Sequence, residues 1–112
     1  MTDFEEIIKA LVKFRNERDW EQFHNSKDLA LAIMLEAAEL NELFLWKNQE
    51  EVARVDVERI KEELADVFAF AFLLAEKHNL DIKELVLNKI NKNSLKYPVD
   101  KAKGTAKKYN EL

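Results

Sequence analysis

The sequence predicts an all-α fold, a four-helix bundle completed by oligomerisation. Three observations carry that expectation. The 112 residues include one Gly and one Pro, too few turn formers for a many-stranded β fold. Apolar residues recur at helical spacing in four segments parted by short polar breaks. Two of those segments are apolar almost all round, which a small bundle accommodates only against a partner.

Composition narrows the class further. With 47% apolar and 36% charged residues, the chain has the mixture of a folded domain rather than a disordered one. The absence of Cys excludes disulfides and thiolate metal sites. The longest apolar stretch is too short to cross a bilayer, and the acidic start MTDFEE does not read as a secretory signal. The expectation is a cytoplasmic protein with no membrane partner.

The first helix is expected over about Thr2–Arg18. Thr2 and Glu5 have capping-box spacing. Phe4, Ile7, Ile8, Leu11, Val12 and Phe14 form its apolar stripe. Residues 19–27 (DWEQFHNSK) read as a connector, with Asn25 or Ser26 as the cap of a second helix over about Asp28–Trp46. Residues 47–56 read as a loop. Asp56 caps a third helix, Val57–His78. Asn79-Leu80-Asp81 forms a break, and Asp81 and Glu84 start a fourth helix that buries Ile82, Leu85, Val86 and Ile90. Tyr97-Pro98 ends it, because the residue before proline is pushed out of the α region. The organisation is therefore a helical domain, residues 1–98, and a basic tail, residues 99–112.

Charge is unevenly spread. Residues 1–82 carry 10 Lys/Arg against 19 Asp/Glu, whereas residues 83–108 carry 8 Lys against Glu84 and Asp100. An acidic body with a basic end does not suit a nucleic-acid polymer. It suits equally a phosphorylated small molecule with its metal, or simply solvated helices with a soluble tail.

The second and third helices hold the informative anomaly. In LALAIMLEAAEL (29–40) only Glu36 and Glu39 are polar, and in LADVFAFAFLLA (64–75) only Asp66 is. Glu63 stands one turn before Asp66. Ionised carboxylates in apolar surroundings are costly unless a cation compensates them. Each pair is spaced i, i+3 and shares a helix face, and a short connection makes the two helices antiparallel neighbours. Four carboxylates can then converge. An oxygen-only donor set suits a hard cation, Mg²⁺ or Mn²⁺, rather than zinc. The competing reading is that Glu-rich helices contain ExxE pairs by chance, lying on a thin polar stripe.

Glu36-x-x-Glu39, followed after 23 residues by Glu63-x-x-Asp66, resembles the all-α nucleoside triphosphate pyrophosphohydrolases, the MazG-like family. ERDWEQFH (17–24), ELFLWK (42–47), EELADV (62–67), KINKNSLKYP (89–98) and KGTAKKY (103–109) are similar to its dCTP pyrophosphatase subgroup, in the same order along nearly the whole chain. The resemblance implies a homodimer or tetramer that converts a nucleoside triphosphate, dCTP or a modified cytosine nucleotide, to the monophosphate and pyrophosphate. It implies Mg²⁺, with Mn²⁺ as alternative, on Glu36, Glu39, Glu63 and Asp66. Glu39 and Glu63 take the catalytic part, with Glu39 as acceptor of the water proton.

For the nucleotide, the resemblance implies Trp20 and Trp46 as pocket walls, stacking on the base, and His24 as a hydrogen-bonding partner. Phe70 stands where the family often has Tyr, so one hydroxyl contact to sugar or phosphate is missing. Lys89 and Asn93 share a face at i, i+4, with Tyr97 next. In the similar motif, with Lys96, they meet nucleotide and phosphates. Lys101, Lys103, Lys107 and Lys108 either close over the phosphates or extend into solvent. Two other classes stay open. A di-iron carboxylate bundle needs two ExxH motifs, and only Glu21-x-x-His24 is present. A non-catalytic helical partner protein would use the apolar helices for oligomerisation alone.

Overall fold

The computed structural model describes residues 1–112. All regular elements are helical. They fall into two compact units, Met1–Asn79 and Leu80–Leu112.

The first unit begins with α1 (Asp3–Glu17). Its start is fixed by a reciprocal capping box: the Glu5 amide donates to Thr2 Oγ1 (3.1 Å) and the Thr2 amide to Glu5 Oε2 (2.9 Å). Such a cap contributes about 1 kcal/mol. At the other end the Trp20 amide reaches back to the Arg15 carbonyl and the Asp19 amide to that of Asn16. This is a Schellman arrangement with Asp19 at φ 54° in the left-handed position. A single 3₁₀ turn, Glu21–Phe23, leads to α2 (Ser26–Glu42), which Asn25 caps by accepting from the Asp28 amide.

Two expectations need correction here. The second helix stops at Glu42, four residues early, and Leu43–Trp46 form turns. Trp46 has φ 63°, a left-handed conformation incompatible with continuing the helix and unusual for a bulky residue. The stretch 47–56 is also not all loop. It contains α3 (Gln49–Ala53), started by an Asn48–Glu51 capping box. Then α4 (Val57–Lys77) starts at Asp56, whose carboxylate accepts from the Glu58 amide, and ends before Asn79 at φ 54°.

Helix α2 packs along α4, and α1 leans on α4. The Ser26 hydroxyl and His78 Nε2 lie 2.8 Å apart, joining the start of α2 to the end of α4, so the pair runs antiparallel. The buried apolar residues are Leu29, Leu43, Leu73 and Ala75, of which Leu29 is fully enclosed. The remaining apolar faces of α2 and α4 stay uncovered in the single chain: Met34 is 59% and Phe68 52% exposed.

The second unit holds α5 (Ile82–Lys96), capped by Asp81, then α6 (Val99–Ala102) and a 3₁₀ turn, Tyr109–Glu111. The Tyr97 and Tyr109 rings meet edge to face at 6.3 Å, and the Lys96 ammonium sits 4.9 Å from the Tyr109 ring centre. The last fourteen residues are therefore partly helical. The expected buried side of α5 is a further correction: Leu85, Val86 and Ile90 are exposed and Ile82 half-buried. One long helix and a short segment offer too little apolar surface to cover them.

Candidate functional site

The site is assembled on the α2–α4 pair. Antiparallel packing sets the C-terminal half of α2 beside the N-terminal half of α4. One carboxylate oxygen from each of Glu36, Glu39 and Glu63 lies within 4.8 Å of the others. Glu36 and Glu63 are half-buried and Glu39 is exposed. Asp66 is exposed and outside that close triplet, yet its charge acts on both Glu36 and Glu63.

The electrostatics are those of a compressed acid cluster. Burial, then a hydrogen bond to Glu39 and the charges of Glu39, Asp66 and Glu63 push the Glu36 carboxyl up to about 7. Glu63 is raised by local desolvation, then by Glu39 and Asp66. Glu36 Oε2 is shut off from solvent and has no hydrogen-bond partner, which costs on the order of 1–3 kcal/mol for a buried polar atom. None of the chain's ion pairs reaches these acids.

Beside the cluster opens a cavity of about 420 Å³, within the size range of small-molecule sites. Glu36 and Asp66 line its acidic end. Phe14, Trp20 and Phe70 supply aromatic walls, and Arg15 and His24 are polar members. His24 meets Phe70 edge to face at 6.3 Å, and Trp20 meets Phe14 at 5.8 Å. Burial, then the charges of Arg15 and Lys77, lower the His24 pKa, so its imidazole is neutral at pH 7. Its Nδ1 is buried without a partner. Trp20, His24 and Phe70 are thus brought to one cavity with two of the acids.

Trp46 is 92% exposed on its turn. Lys89, Asn93, Lys96 and Tyr97 belong to the second unit, where Asn93 is half-buried and its carbonyl accepts from the Tyr97 amide (2.8 Å). Lys96 and Tyr97 are both engaged with Tyr109. Sequence reading missed Arg15, which is buried in the cavity wall. The signal was present: Arg15 falls on the stripe of Ile8, Leu11 and Val12, where a polar residue is out of place.

A family model described as MazG-like matches residues 31–112. The chain is 40% identical to mouse (Mus musculus) dCTP pyrophosphatase 1 and 41% identical to the protein of that name from cattle (Bos taurus), over 96% of its own length. It spans 66% of the mouse protein and 67% of the bovine one. A solved pyrophosphatase from Archaeoglobus fulgidus superposes with a TM-score of 0.82 at 34% identity, covering 88% of this chain and 94% of that one. With the acidic pairs, the antiparallel helices and these similarities in place, the chain belongs to the MazG-like family.

Proposed function

We propose that the chain is a metal-dependent nucleoside triphosphate pyrophosphohydrolase that converts dCTP, or a modified cytosine nucleotide, to the monophosphate and pyrophosphate. The observation that carries this reading is the acid cluster opening into an aromatic cavity. The names of the curated relatives and of the archaeal pyrophosphatase support the reaction class and, for the former, the base.

The cluster fits a hard divalent cation. Its donors are all carboxylate oxygens, three of them mutually close, and one oxygen is buried and unpartnered. Glu36, Glu39, Glu63 and Asp66 are the residues that would hold Mg²⁺, with Mn²⁺ as alternative. Such an ion supplies charge neutralisation for the phosphates and a more acidic bound water.

The chain's own groups then divide the remaining work. Glu39, the exposed member of the close triplet, accepts the proton of the attacking water, and Glu63 orients it. Trp20 and Phe70 enclose the base, and neutral His24 offers one donor and one acceptor. Trp46 adds a stacking surface. Lys89, Asn93, Lys96 and Tyr97 contact the phosphates. The exposed apolar faces of α2 and α4 support a homodimer or tetramer that covers them.

The test is a panel of standard and modified (d)NTPs with the products identified. Formation of pyrophosphate and the monophosphate, greatest for cytosine nucleotides, is expected. Release of inorganic phosphate, or no turnover of any nucleotide with Mg²⁺ present, would refute the reading.

A further inference from the structure

Arg15 is the only buried charged residue of the chain, 7% exposed. Its Nε donates to Asn16 Oδ1 (3.0 Å) and its Nη1 to Glu76 Oε2 (3.2 Å), while Nη2 lies 3.6 Å from Glu21 Oε2. The carboxylate side chains are more open, 68% exposed for Glu21 and 35% for Glu76. They therefore brace the guanidinium from the rim. Two of its five N–H groups donate hydrogen bonds, and Nη2 is only ion-paired to Glu21, which leaves at least one free donor on each terminal nitrogen.

Burying this group serves packing poorly. Replacing a buried ion pair with apolar side chains is often neutral or stabilising, and the wall around Arg15 is already apolar, with Phe14 and Leu73. What the guanidinium adds is a rigid fork of donors in the cavity that also holds Trp20, His24 and Glu36. His24 presents a second unsatisfied polar atom in the same wall.

We propose that Arg15 determines which base this cavity accepts, by donating from its two terminal nitrogens to a base edge with two adjacent acceptors. The inference rests on the nucleotide reading above. Cytosine offers that edge as O2 and N3. Thymine and uracil place an N–H between their carbonyls, and adenine sets its amino group beside N1, so each turns a donor toward the fork. Guanine offers an acceptor pair at O6 and N7. Arg15 thus selects against thymine, uracil and adenine, while the shape of the cavity chooses between cytosine and guanine.

The experiment compares kcat/KM of the wild-type protein and Arg15→Leu for dCTP, dTTP and 3-deaza-dCTP, in which carbon replaces the N3 acceptor. The wild type is expected to favour dCTP over both others. In Arg15→Leu the dCTP:dTTP ratio falls about tenfold or more, mainly through KM, and the penalty for 3-deaza-dCTP disappears. A folded Arg15→Leu protein with an unchanged ratio would overturn the proposal while leaving the pyrophosphohydrolase reading intact. Should that variant fail to fold, the wild type decides alone: indifference to the loss of N3 overturns the proposal, and a loss of about tenfold supports it. A wild-type protein inactive on every nucleotide removes both readings.

Discussion

Glu36 on α2 and Glu63 on α4 bring carboxylate oxygens within 4.8 Å of each other, with Glu39 completing the group. Two helices that pack through apolar side chains thus meet at a point of mutual charge repulsion. The chain's own cations do not relieve it, since its ion pairs lie elsewhere. A bound divalent cation would turn the repulsion into attraction.

Removing one of these acids should therefore stop the reaction without unfolding the chain. Glu63→Gln and Asp66→Asn are each expected to lower turnover more than about 100-fold at saturating Mg²⁺, with an unchanged helical circular dichroism spectrum. Wild-type rates in either variant would show that the acids are not the site.

The metal-free chain should lose stability as pH rises. The Glu36 carboxyl stands near 7 in the folded state against 4.5 for an ordinary Glu. Between those values the folded state binds more protons than the unfolded one, so the free energy of unfolding falls with increasing pH. Glu63 shifts in the same direction. In chelator, the Tm of the wild type should fall relative to that of Glu36→Gln between about pH 4.5 and about pH 7, and the difference should level off above that range. A difference between the two proteins that does not change with pH would contradict the cluster's electrostatics.

The strained turn at Trp46 gives a separate test. A bulky residue at φ 63° costs about 1–2 kcal/mol that glycine would not incur. Trp46→Gly is expected to leave the Tm unchanged or higher while raising KM for dCTP more than it lowers kcat, because stacking is similar in ground and transition states. An unchanged KM would reduce Trp46 to a packing role.

Much of this was readable in the residues themselves, for a physical reason. Caps are local: Thr2 with Glu5, Asn25, Asp56 and Asp81 mark helix starts through contacts two or three residues long. The convergence of acids followed from i, i+3 spacing and an antiparallel pair. What escaped depends on distant or weak signals. Helix α3 has no apolar stripe, and only the Asn48–Glu51 box announces it. The burial of Arg15 is supported by Glu76, 61 residues away in sequence. The early end of α2 turns on the backbone of Trp46, a residue type that gives no warning of a left-handed conformation.

The uncovered faces of α2 and α4 predict self-association. Met34→Lys and Phe68→Lys place charges on those faces and should shift the protein toward monomer in sedimentation velocity, whereas the wild type sediments as a dimer or tetramer. A monomeric wild type at micromolar concentration would contradict that assembly.

The most direct measurement is a crystal structure grown with Mg²⁺ and a non-hydrolysable dCTP analogue. The account predicts an ion held by Glu36, Glu39, Glu63 and Asp66, with the base between Trp20 and Phe70. Carboxylates turned toward bulk water around an empty centre, with the nucleotide bound elsewhere, would contradict it.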